Sequence, residues 1–231
     1  MIRKFEIEVC VDSVESSVAA QECGAHRVEL CTRLDLDGLT PNVDLIKQTR
    51  QSIDIDLHVI IRPREGDFTA SEAELNQMLL SIEECKEAGV DGVVFGVLNA
   101  GDSLDLESMK TLIEAAQPMS ITFHRAFDVC TNPILVVEQL QKLGVNRLLT
   151  SGQADKAVNG TELLEDLIWA TTNIGLMTGG GVNAQNIPAL WRAGMRQFHF
   201  TSHNRNKDGK NVFDKEKTIA AKKALESLCG I

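Results

Sequence analysis

Cys10 and Cys31 stand near the ends of two short runs, Phe5-Glu6-Ile7-Glu8-Val9-Cys10-Val11 and Arg27-Val28-Glu29-Leu30-Cys31. Two thiols at the ends of neighbouring strands suit a soft ion such as copper(I), although a free cysteine is also a common small core residue. The same runs carry Glu8, Arg27 and Glu29, an acid/base pair with a positioning cation or, equally, an internal ion-pair ladder. His58, His124 and His199 lie on separate strand-like runs; His124, in His124-Arg125-Ala126-Phe127-Asp128, is the best placed for proton transfer. Asp128 completes the catalytic candidates. Arg62, Arg64 and Arg125 offer planar forks for an anion, one of them reserved for bracing Asp67 or Asp128. Two strand-end loops, Thr150-Ser151-Gly152 and Gly179-Gly180-Gly181, resemble the glycine-rich turns that cradle phosphate, though glycine also serves plain tight turns.

These groups need elements to position them. In the runs at 5–11, 27–31 and 58–62, residues of one parity are aliphatic (Ile7, Val9, Val28, Leu30, Val59, Ile61) and those of the other are polar (Glu8, Cys10, Arg27, Glu29, Cys31, His58, Arg62). Alternate strand residues face opposite ways. Amphipathic helical patterns between the runs imply a parallel sheet covered by helices, so the polar parity faces an enclosed space. Gly24, Gly89, Gly144 and Gly194 each close a helical pattern and precede a strand, four copies of one junction. Ser71-Glu72-Ala73-Glu74 reads as a capping box, Asp12-Ser13 as a second helix start, and Asn132-Pro133 as a cap followed by proline at the first helical position. Strands are expected near 5–11, 26–31, 55–61, 91–96, 119–124, 147–150, 173–178 and 196–200. Eight βα units in 231 residues fit one α/β domain over 1–231, a single-domain (β/α)8 TIM barrel with its polar pocket where the strands end. A doubly wound open sheet is the alternative, but Val11-Asp12-Ser13 stands where a glycine-rich dinucleotide fingerprint would follow the first strand, so no nucleotide cofactor is expected. The polar segment 204–210 reads as a mobile loop before the last helix.

Composition excludes several classes. A net charge of −10 argues against a nucleic-acid partner, and no apolar run is long enough for a membrane span or a signal-peptide core. Six cysteines without a Cys-x-x-Cys pair read as reduced thiols, hence a cytosolic location. Cys23, Cys85, Cys130 and Cys229 fall on helices or loops and read as packing.

Val9-Cys10-Val11-Asp12-Ser13, Arg27-Val28-Glu29-Leu30-Cys31, the run from Ile61-Arg62-Pro63-Arg64 to Gly66-Asp67-Phe68, Thr122-Phe123-His124-Arg125-Ala126-Phe127-Asp128, Leu149-Thr150-Ser151-Gly152 and Gly179-Gly180-Gly181 together resemble the CutC family, the copper homeostasis proteins, in order from about residue 6 to about residue 203. The resemblance implies a TIM barrel, a cytoplasmic homo-oligomer and a role in copper tolerance, with copper(I) held at Cys10 and Cys31. The chain departs from the family pattern at Thr32–Gly38, more charged than the usual small loop, at Thr178, where a proline commonly stands, and at Phe200-Thr201-Ser202-His203. Two readings follow: a Cu(I)-handling protein, or an enzyme acting on a small anionic or phosphorylated metabolite through His/Glu chemistry. A non-catalytic scaffold explains the polar pocket worst.

Overall fold

The computed structural model describes residues 4–206 and 211–230. Its eight parallel strands are β1 (Glu6–Val11), β2 (Arg27–Leu30), β3 (Asp56–Ile60), β4 (Gly92–Phe95), β5 (Ser120–Phe123), β6 (Arg147–Thr150), β7 (Gly175–Thr178) and β8 (Gln197–Thr201). They pair in chain order, and β8 pairs with β1 to close the barrel. The intervening helices are α1 (Val14–Glu22), α2 (Val43–Ser52), α3 (Glu72–Ala88), α4 (Leu106–Ala116), α5 (Pro133–Leu143), α6 (Thr161–Ala170) and α7 (Ile187–Arg192), with α8 (Lys215–Cys229) completing the (β/α)8 fold. No helix among the described residues is long and apolar enough to cross a membrane.

Local chemistry sets these elements. Ser71 and Glu74 form the reciprocal capping box that starts α3, whose Met78, Ile82 and Cys85 form its buried stripe. Ser13 caps α1 with Ser16 as its partner, and Asn132 caps α5 ahead of Pro133. The four junction glycines adopt positive φ, between +72° and +91°. After each, the next N–H reaches back to the last helical turn: Ala25 to the Ala20 carbonyl, Val90 to Cys85, Val145 to Leu140 and Met195 to Leu190. That is a Schellman stop repeated around the barrel, and each time it buries an apolar residue.

The parity reading holds. Ile7, Val9, Val11, Val28, Leu30 and Val59 are fully buried in one cluster with helix residues such as Ile46, Ile82 and Leu112. The opposite parity, Glu8, Arg27, Glu29 and His58, is also buried and fills the barrel interior. His58 needs the missing side chain of its neighbour. A Cβ added at Gly92, paired with it across β3 and β4, would lie 2.5 Å from His58 Nε2. Gly92→Ala should therefore destabilise the fold by about 1–3 kcal/mol in urea denaturation. Since alanine is intrinsically preferred to glycine in a strand, an unchanged or raised midpoint would show that the ring has room to move.

One expectation changes. Residues 204 and 205, expected in the mobile loop, belong instead to a strand, β9 (His203–Arg205), paired antiparallel with β10 (Asn211–Phe213). Of the rest of the expected loop, 207–210 lie outside the described residues. The ribbon is tied to the end of β1, with His203 Nε2 at 3.1 Å from Asp12 Oδ1 and Asn211 Nδ2 donating to Asp12 Oδ2 at 3.2 Å.

Candidate functional site

The site is built where β8, β1 and β2 lie side by side. Register places Glu29 opposite Cys10, and His199 opposite Glu8 one step deeper. His199 thus stands between two carboxylates. Its Nδ1 donates to Glu8 Oε1 at 2.7 Å, and its Nε2 lies 3.8 Å from Glu29 Oε2. One donor atom each from Cys10, Glu29 and His199 falls within 4.8 Å of the other two. Cys31 approaches from the side: its Sγ is 3.5 Å from Cys10 Sγ and donates to the Val11 carbonyl at 3.5 Å. Beneath, fully buried Glu8 accepts from Arg27 Nε, and Arg27 also faces Glu6 at 3.6 Å.

Charge follows from this packing. Burial disfavours the Glu8 carboxylate, yet Arg27 and then His199 hold it well below the usual carboxylate range. Burial likewise disfavours imidazolium at His199, but Glu29, Cys10 and Glu8 together hold the ring well above its ordinary value. Burial, reinforced by the charge of Glu8, raises Glu29. The hydrogen bond with Cys31, then burial, pushes the Cys10 thiol well up.

Cys10, Glu29 and His199 form one wall of a cavity of about 940 Å³ at the C-terminal ends of the strands. Arg62, Phe68 and His124 line it from the β3 and β5 side, and Arg125, Asp128, Gly180 and Gly181 from the β5 and β7 loops. His124 caps the short 3-10 turn Arg125–Val129, its Nδ1 accepting from the Ala126 N–H at 3.3 Å. Burial, aided by the charge of Arg62, pushes its pKa down to about 3. A neutral ring with Nδ1 engaged keeps its proton on Nε2, so His124 offers the cavity a hydrogen-bond donor rather than a base. Arg62 rests over the Phe68 ring, 5.2 Å from its centroid, and its Nη1 donates to the Leu36 carbonyl at 3.0 Å.

The remaining candidates sit elsewhere. Glu8, Arg27 and His58 lie below the cavity; burial pushes His58 down to about 3. Cys31 lies behind Cys10. Arg64 turns away, bound to Glu74 at 2.6 Å and Asp67 at 2.7 Å. Asp128 is engaged with Arg125 at 2.7 Å and with the N–H and hydroxyl of Ser151, bracing the β5 and β6 loops. Ser151 and Gly152 face that brace, with Gly152 lying under the Gly160 carbonyl, and Gly179 packs against Leu149. Several lining residues were not sequence candidates, among them Asn183, Gln185, Glu216 and Lys217. Leu34 and Asp37 reach the cavity from the 32–38 loop, where Arg33 and Asp37 hold left-handed backbones (φ 51° and 60°). The unusual charge of that loop was the available signal.

The description "CutC family" belongs to the family model that matches residues 5–204. A CutC family protein from Bacteroides thetaiotaomicron is 46% identical over 204 residues, 87% of this chain and 82% of its own length. One from Pasteurella multocida is 44% identical over 199 residues, covering 85% and 82%. The crystal structure of the putative copper homeostasis protein CutC from Streptococcus agalactiae superposes with a TM-score of 0.81 at 30% identity, over 84% of this chain and 97% of its own. A thiamine phosphate pyrophosphorylase from Pyrococcus furiosus, with a TM-score of 0.65 at 16% identity over 97% of each chain, shares the fold alone.

Proposed function

Because the chain belongs to the CutC family, we propose that it is a copper homeostasis protein that binds Cu(I) at the barrel mouth through Cys10 and Cys31, with His199 as a third donor. The observation that carries this reading is the 3.5 Å approach of the two sulfurs on adjacent strands. Paired thiolates are the donors a soft monovalent ion selects. Binding must expel the thiol protons, so the raised Cys10 makes affinity climb with pH. Such a site requires reduced thiols, which suits a cytoplasmic location. Homo-oligomerisation belongs to the same reading; Leu80 and Trp169, 70% and 87% exposed on the outer helices, leave apolar area for it.

The test is an anaerobic Cu(I) titration against a chromophoric chelator, with wild type beside the Cys10→Ser/Cys31→Ser variant. One ion per chain that outcompetes the chelator, and is lost in the variant, is the expected result. Weak binding, or binding indifferent to the two sulfurs, removes the copper site. It then favours the second reading, an enzyme acting on a small anionic or phosphorylated metabolite. That reading draws on the cavity itself, since about 940 Å³ far exceeds the needs of one ion and presents Arg62, Arg125 and the His124 donor. In it, Glu29 and His199 carry the proton transfers.

A further inference from the structure

The donors at the seam do not form a uniformly soft set. Cys31 contributes sulfur from behind the cavity wall, whereas Glu29 contributes a carboxylate oxygen from within it. A Cu(I) site built on two sulfurs gains little from a hard oxygen, yet Glu29 is 4% exposed and directly opposite Cys10. One sulfur, one imidazole nitrogen and one carboxylate oxygen are the mixed set that zinc accepts. Zinc sites with chemistry to perform keep three protein ligands and an open fourth position.

His199 is already arranged for this. Its Nδ1 donates to Glu8 at 2.7 Å, and Arg27 holds Glu8 in turn. That fixes the ring with Nε2 toward Cys10 and Glu29, the carboxylate–histidine–metal pattern that supports many metal ligands. The three donor atoms lie within 4.8 Å of one another. Bonds of about 2.0–2.3 Å to a common ion would bring them to about 3.5 Å, a closure of at most about 1.3 Å for any pair.

We propose that Cys10, Glu29 and His199 form a binding site for a borderline divalent metal ion, zinc first among them, whose fourth position opens into the cavity. This goes beyond the copper reading and differs from it in donor set: Cys10 and His199 are shared, Cys31 belongs to the copper pair and Glu29 to the divalent site. The open position would hold water or a carbonyl or phosphoryl oxygen, and Arg62 and Arg125 across the cavity restrict the substrate class to small anions.

The experiment uses the reduced full chain freed of metal, titrated anaerobically with Co2+ and then with Zn2+. Wild type should bind one equivalent of Co2+ with a thiolate-to-cobalt charge-transfer band and the intense visible bands of four-coordination, both abolished by Zn2+. Cys10→Ser should remove the charge-transfer band. Glu8→Gln should weaken Zn2+ about 10–100-fold, Glu29→Gln should weaken it more, and Cys31→Ser should retain it. Cu(I) binding should show the reverse dependence, lost in Cys31→Ser and kept in Glu29→Gln, so each site can fail without the other. Circular dichroism and melting of every variant separate lost ligands from lost fold. The proposal is overturned by a wild-type Co2+ spectrum without the thiolate band, a reading that requires no variant to fold. It is equally overturned if Glu29→Gln binds Zn2+ as wild type does, or if Cys31→Ser loses as much as Cys10→Ser.

Discussion

Glu8→Ala should lower folding stability by about 3–5 kcal/mol, the cost of stripping one partner from a buried ion pair. Glu8 is fully buried and Arg27 is 2% exposed, so the guanidinium would stay in the barrel interior facing Glu6 at 3.6 Å and the Met177 sulfur at 3.7 Å. His199 would lose its Nδ1 acceptor in the same step. Urea denaturation should show a lower midpoint with an unchanged slope. The companion variant Glu8→Met/Arg27→Met should recover much of the loss, because removing both charges also removes their desolvation cost. A cost for Glu8→Ala below about 1 kcal/mol, the range of exposed pairs, would show that the floor of the barrel admits water.

Stability should also fall on the acid side of neutrality before most carboxylates titrate. Burial pushes both His58 and His124 down to about 3 from an ordinary 6.5. Below pH 6.5 the unfolded chain therefore takes up protons at two rings that stay neutral in the folded barrel. Each ring approaches a cost of about 1.4 kcal/mol per pH unit once the pH is below 6.5, so the pair removes about 3 kcal/mol between pH 6.5 and pH 5. Glu29, raised by burial, works in the opposite sense, because the folded state binds its proton at a higher pH than the unfolded chain does. Glu8, held low, adds to the loss once the pH drops below its ordinary value of 4.5. On the alkaline side His199 acts alone among these groups. Its contribution is complete below pH 6.5 and is lost as the pH rises through its elevated folded value. Denaturation curves from pH 5 to pH 9 should peak near neutrality, and His58→Gln/His124→Gln should flatten the acid limb by about 3 kcal/mol. Parallel acid limbs in the two proteins would show that the rings are protonated in the folded state.

The barrel was legible because its signals are local. Period-two parity identified the inward residues, and four glycine stops marked where helices hand over to strands. The candidate site was legible only in part, because parity tells direction and not height. Glu8, Cys10 and His58 share the inward direction, yet Cys10 lines the cavity while Glu8 and His58 lie beneath it. Height is set by the stagger between strands, which no single strand encodes. The same stagger makes His199 the centre of the cluster, since only the pairing of β8 with β1 brings it opposite Glu8. Arg64 shows the limit for loops: its direction is decided by Asp67 and Glu74, and the carboxylate nearest in space to an arginine is not readable from spacing. The three-residue strands β9 and β10 are too short to show any period.

The seam between β8 and β1 also sets when the donor cluster is complete. Glu8 and His199 are 191 residues apart in the chain and meet only when the last strand docks beside the first. A chain still emerging from the ribosome holds Cys10, Glu29 and Cys31 early, but not the imidazole that stands between them and Glu8. The complete donor cluster therefore requires the closed barrel, and any ligand that uses all of its donors would be captured only after β8 has docked beside β1.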